Sequence, residues 1–170
     1  DAGVLKRLDA SLIGGGKIGQ VVSTHTDTES QMSSSTFADV SGMSVAITPS
    51  ATSSKVYISL SLNAGLNQSA YAFFKLYRGS TLIGSNADSS NRIGCNFSFS
   101  TNDGSAASDG VISNHYQYLD SPSSTSEVTY KIQGATYNNS TLTFNRTPNN
   151  TDNAATVHST SVITAMEVLA

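Results

Sequence analysis

Val56-Tyr57-Ile58-Ser59-Leu60-Ser61-Leu62 decides the fold. Large apolar residues occupy every second position, and serine or tyrosine fills the positions between. A period of two is that of a strand with one face buried and one wet. The serine-bearing face makes it a half-buried antiparallel strand rather than a strand of a fully covered parallel sheet.

The same period extends outward in both directions. Upstream, Ile18 and Val22 begin a first strand that passes through His25, and Met43, Val45 and Ile47 share one face of another. Pro49-Ser50-Ala51-Thr52-Ser53-Ser54 separates that strand from the next by turn chemistry. Downstream, 71–78 is apolar on both faces, as in a central strand, and 81–84 is its hairpin partner after Gly79-Ser80. Further strands are expected at 93–99, 111–119, 128–134, 142–144 and 158–168. In the first of these, Ile93, Cys95, Phe97 and Phe99 share a face, so Cys95 reads as a small buried hydrophobe. About ten strands at this spacing predict an all-β antiparallel β-sandwich, jelly-roll-like in topology.

Composition agrees. Charged residues make up 12% of the chain, about half the usual share. Ser, Thr and Asn together supply roughly a third of it, and these side chains favour turns and strand surfaces over helix interiors. A net charge of −3 provides no basic field for phosphate backbones, which argues against a nucleic-acid partner. No run approaches the roughly 20 apolar residues of a membrane-spanning helix, so no membrane insertion is expected. One cysteine allows no intrachain disulfide framework.

Residues 1–16 stand apart from 17–170. Val4, Leu5, Leu8 and Leu12 fall on one helical face, and Gly14-Gly15-Gly16 ends any helix as a hinge. This N-terminal helical or extended segment is expected to pack on the domain or against copies of itself, since a helix so short is marginal alone. The chain starts at Asp1 without methionine and so reads as a fragment or a processed product.

Chemistry-bearing residues are sparse. Most aspartates sit in turn contexts, Asp120-Ser121-Pro122 among them, where Asp needs no further explanation. Asn102-Asp103-Gly104 with Asp109-Gly110 departs from the EF-hand pattern and reads as two turns. His25, His115 and His158 show no metal-ligand spacing, and no nucleophile elbow is present, so neither metal, cofactor nor enzymatic activity is expected. The tyrosines are more suggestive. Tyr116 and Tyr118 lie two apart beside Asn114 and His115, and Tyr137-Asn138-Asn139 falls in a loop. Aromatic faces beside amides are what carbohydrate recognition uses, so these seven are the candidate ligand-binding residues.

Several pieces, taken in order, resemble a β-rich module of bacteriophage tail-fibre and other virion proteins. They are Gly19-Gln20-Val21-Val22, Phe37-Ala38-Asp39-Val40-Ser41-Gly42, Ile47-Thr48-Pro49-Ser50, Leu76-Tyr77-Arg78-Gly79-Ser80, Leu119-Asp120-Ser121-Pro122 and Thr129-Tyr130-Lys131-Ile132-Gln133, with the closing strand. The resemblance runs from about residue 17 to residue 169. It implies a virion component, homotrimeric, partnered by other virion proteins and by a host-surface polysaccharide or protein. It carries no catalytic signature. A trimer would give the stripe of Val4, Leu5, Leu8 and Leu12 a role in oligomerisation. The alternative is a capsid decoration, head-fibre or cement protein. A polysaccharide-degrading enzyme would require facing carboxylates in a groove.

Overall fold

A computed structural model describes residues 17–67, 69–101 and 110–170. The expected stripe of Val4, Leu5, Leu8 and Leu12 and the turns at 102–109 lie outside the described residues. Within them are eleven strands: β1 (Ile18–Thr26), β2 (Ser30–Met32), β3 (Ala38–Ile47), β4 (Lys55–Leu66), β5 (Tyr71–Arg78), β6 (Thr81–Leu82), β7 (Phe97–Ser100), β8 (Ile112–Asp120), β9 (Val128–Thr136), β10 (Leu142–Phe144) and β11 (Ser161–Val168). One 3₁₀ turn, Tyr137–Asn139, separates β9 from β10.

The ladder shows that six of these strands are the interrupted halves of three longer ones. Along one edge of β4, 55–61 pairs with β11 and 64–66 pairs with β10, both antiparallel, while the other edge pairs with β8 over 56–64. β10 and β11 are therefore collinear, split by an excursion at 145–160. β1 runs along β11 and β2 along β10, so they too form one line. β5 takes β9 on one edge, and on the other takes β7 along 71–74 and β6 along 77–78. An excursion at 83–96 splits that line.

With halves joined, eight strands remain in two antiparallel sheets. The first is (β1+β2)–(β11+β10)–β4–β8 and the second β3–β9–β5–(β6+β7). Numbered along the chain the orders are 1-8-3-6 and 2-7-4-5, the winding of a jelly roll. The all-β sandwich expected from the sequence is what the chain forms.

The core lies between the sheets and obeys the alternation. Val56, Ile58, Leu60 and Leu62 of β4 are buried against Met43, Val45 and Ile47 of β3, Phe74 and Leu76 of β5, and Ile132 of β9. Tyr57, Ser59 and Ser61 face outward. In β3 the register shifts between Asp39 and Ser44. Gly42 sits in that bulge at φ +74°, where an added Cβ would meet Thr26 at 2.6 Å, so only glycine fits.

Two expected strands begin later than their pattern suggests. The strand expected at 93–99 starts at Phe97, because 83–96 has left the ladder. Cys95 is consequently half-buried and Ile93 exposed, not buried on a common core face. The closing strand starts at Ser161, and His158 forms only an isolated bridge with Arg146.

A buried polar link joins the sheets. Asp120, the last residue of β8, is buried; its Oδ2 accepts the Tyr130 hydroxyl and Arg78 Nη1, each at 2.8 Å. Its turn-like sequence context concealed this role. Glu167 is likewise buried in β11 and accepts both the backbone N–H and the hydroxyl of Ser50 at 2.6 Å, which fixes the turn before β4. These bonds, the hydroxyl first, hold its carboxyl below the usual glutamate range.

Candidate functional site

The seven candidate ligand-binding residues do not converge. β8 is an edge strand whose alternation turns Asn114, Tyr116 and Tyr118 toward the sandwich and leaves His115 exposed on the opposite face. The Tyr116 ring stacks on Phe97 at 5.6 Å, and Phe97 stacks on Phe74 at 4.7 Å. Its hydroxyl donates to Gly84 O at 3.2 Å and accepts from Asn96 Nδ2 at 3.1 Å. Tyr118 packs against Gly84, where φ is +65° and an added Cβ would lie 2.7 Å from the ring. Asn96 completes the seam, accepting from Leu76 N at 2.8 Å and donating to Ile83 O at 2.9 Å. The 83–96 excursion thus closes the gap between the edges of the two sheets, with Tyr116 and Tyr118 as its seal. Asn114 donates to Leu62 O and Ile112 O within its own sheet.

Tyr137, Asn138 and Asn139 are placed differently. Jelly-roll connectivity gathers the C-terminal ends of β2, β4, β7 and β9 at one end of the sandwich. Hydrogen bonds tie several of them together: Thr136 N to Ser34 O at 2.8 Å, Ser35 N to Asn139 Oδ1 at 2.9 Å, and Asn67 N to Thr141 O at 3.1 Å. On this end the Tyr137 ring is 53% exposed and meets Tyr71, 40% exposed, edge to face at 6.0 Å. Asn138 and Asn139 both adopt φ +55°, a left-handed conformation asparagine tolerates better than other non-glycine residues. The turn therefore holds Tyr137 and Asn138 outward, while Asn139 ties it to Ser35. Asn138 is exposed, and its side chain makes no hydrogen bond among the described residues. Sequence reading missed Tyr71, which looked like a central-strand residue. Its signal is position: it is the first residue of β5, directly after a polar link.

A second polar feature was also missed. At the break between β10 and β11, Asn145 is buried at φ +58° and its side chain stitches three segments. Nδ2 donates to Thr26 O at 3.2 Å and Thr28 O at 3.1 Å, and Oδ1 accepts from Ser161 Oγ at 2.6 Å. Beyond it, Arg146 donates to Gln31 Oε1 at 2.6 Å and lies 3.8 Å from Glu29, which also contacts His158. Past this charged anchor the excursion holds an open concavity of about 290 Å³, lined by Asn150, Thr151, Asp152, Asn153, Thr156 and His158. Pro148 lies close over Gly65 of β4, so the excursion sits on the outer face of the first sheet near the loop-bearing end.

The described acids are mostly engaged. Asp39 accepts from Lys131 Nζ at 2.8 Å and Gln133 Nε2 at 2.7 Å, and the lysine bond above all lowers its pKa. Asp88 Oδ1 accepts from Gly94 N at 2.7 Å within the other excursion. Each of the three described concavities holds at most one carboxylate. Among the described residues, no cluster of three His, Cys, Asp or Glu side chains could hold a metal ion.

Neither a protein-family model nor a curated protein matches this chain.

Proposed function

We propose that this domain is a non-enzymatic adhesion module of a phage virion, a tail-fibre or receptor-binding domain that attaches to a glycan or protein on the host surface. The observation that carries the reading is the exposed Tyr71–Tyr137 pair beside Asn138 and Asn139 on the loop-bearing end. Aromatic rings offer flat apolar faces to the C–H faces of sugars, and amides pair with hydroxyls. A jelly roll suits the task, because the fold serves lectin and virion-shell domains alike. The module acts as a homotrimer with other virion proteins, so that several weak sites gain avidity on one cell surface.

The test is binding of the labelled protein to a panel of host cells. Saturable binding competed by extracted surface polysaccharide is expected. Tyr137→Ala or Tyr71→Ala should weaken it about tenfold, a loss of roughly 1.4 kcal/mol. Because both rings are exposed, thermal stability should barely change. Binding to bare capsids and to no cell would assign the domain to capsid decoration instead.

A further inference from the structure

The two sheets present unlike outer faces. On the second, Asp39, Lys75 and Lys131 supply charge, with Asp39 and Lys131 paired at 2.8 Å. On the first, the register aligns Val21, Met166, Tyr57 and Leu119 as one row straight across all four strands. Val21 is 56% and Leu119 46% exposed. The next row, from Ser23 to Gln117, carries only hydroxyls and an amide. The row after that runs from His25 to His115 with no acid, lysine or arginine in it. The excursion at 145–160 bounds the face at its far end.

We infer that this outer face of the first sheet is the contact between copies of the chain. The inference rests on the oligomeric part of the proposed function and names its surface. Two arguments select a second copy as the occupant. Around a symmetry axis a residue approaches its own equivalents, so a fixed charge there would meet its own sign, and this face carries none across three rows. Its extent is also sufficient. Four strands about 4.8 Å apart and the six positions of about 3.4 Å that three rows span give a flat area on the order of 400 Å². Three such faces turned to a common axis bury about 1,200 Å² in all, before side-chain relief is added. The apolar row would form its core, and the hydroxyl row and the row from His25 to His115 its polar rim.

Light scattering of the full chain is the test, with three variants. The wild type is expected at a multiple of the chain mass. Val21→Glu combined with Leu119→Glu should reduce it to the mass of one chain with an unchanged far-ultraviolet spectrum. Ser98→Glu, on the second sheet, should leave the mass as in the wild type. Should the double variant fail to fold, Gln117→Arg gives the same readout from an exposed position. A monomeric wild type, or an oligomer indifferent to charge on this face, overturns the inference. Failure of the adhesion reading is separate, since Tyr137→Ala would then leave cell binding intact whatever the mass.

Discussion

Replacing Tyr130 by Phe removes one oxygen from the link between the sheets and leaves the ring in place. Tyr130 is fully buried, and its hydroxyl donates to an Asp120 carboxylate that also takes Arg78. A hydrogen bond to a charged group contributes about 1.5–3 kcal/mol. Arg78 remains to partner Asp120, so the lower half applies, about 2 kcal/mol, or roughly 4–8 °C in Tm for a domain of this size. Alkaline pH provides a sharper test. Burial first, then the hydrogen bond and charge of Asp120, push the Tyr130 phenol far above its ordinary value, with Arg78 opposing. The folded state therefore keeps this proton where the unfolded chain has released it. Stability from this group is complete below about pH 10 and declines as pH rises above the unfolded value. One proton over one unit amounts to about 1.4 kcal/mol. Urea unfolding at pH 8 and 11 should show the gap between wild type and Tyr130→Phe narrowing by about that amount. A gap under roughly 0.5 kcal/mol at pH 8, or one that does not narrow, would refute the cross-sheet bond.

Asn145→Ala should lower stability by about 2–4 kcal/mol, because two carbonyls and the Ser161 hydroxyl lose their partner in a buried site. Asn145→Gly should be about 1 kcal/mol milder, since φ +58° strains alanine but not glycine; equal losses in denaturant titrations would show that the backbone there is unstrained. Tyr116→Ala should unfold at a Tm lower by several degrees, because it removes the stack on Phe97 and opens the seam under 83–96. A Tyr116→Ala protein with unchanged Tm but impaired cell binding would return that ring to the recognition surface.

The sandwich was legible because alternation marks strands whose two faces meet different solvents, and β4 carries that signal over its whole length. Strand order was hidden, and the three interruptions explain why. A period of two identifies β10 and β11 as separate strands; only their shared edge of β4 reveals a single line broken by sixteen inserted residues. The same break misled the reading of 93–99, where Ile93 and Cys95 keep the alternation but belong to an excursion. For β8, spacing placed Tyr116 and Tyr118 on one face but could not say whether that face pointed in or out. Asp120 was the hardest. Asp-Ser-Pro reads as a turn, and nothing local records that Tyr130 and Arg78, adjacent in the other sheet, converge on that carboxylate.

The interruptions also separate the proposed surfaces. An eight-stranded jelly roll places four of its seven links at one end and three at the other, and an adhesion site can occupy one end without touching the sheet faces. The excursion at 83–96 closes a lateral edge, which leaves β8 paired on one side and sealed on the other rather than free to recruit a stray strand. The excursion at 145–160 covers one part of the first sheet's outer face and leaves the uncharged rows bare beyond it. Contact between copies through those rows would leave the loop-bearing end of each copy open to solvent. Avidity then requires only that the ends point to a common surface, so loss of assembly should weaken attachment to cells far more than attachment to a single soluble sugar.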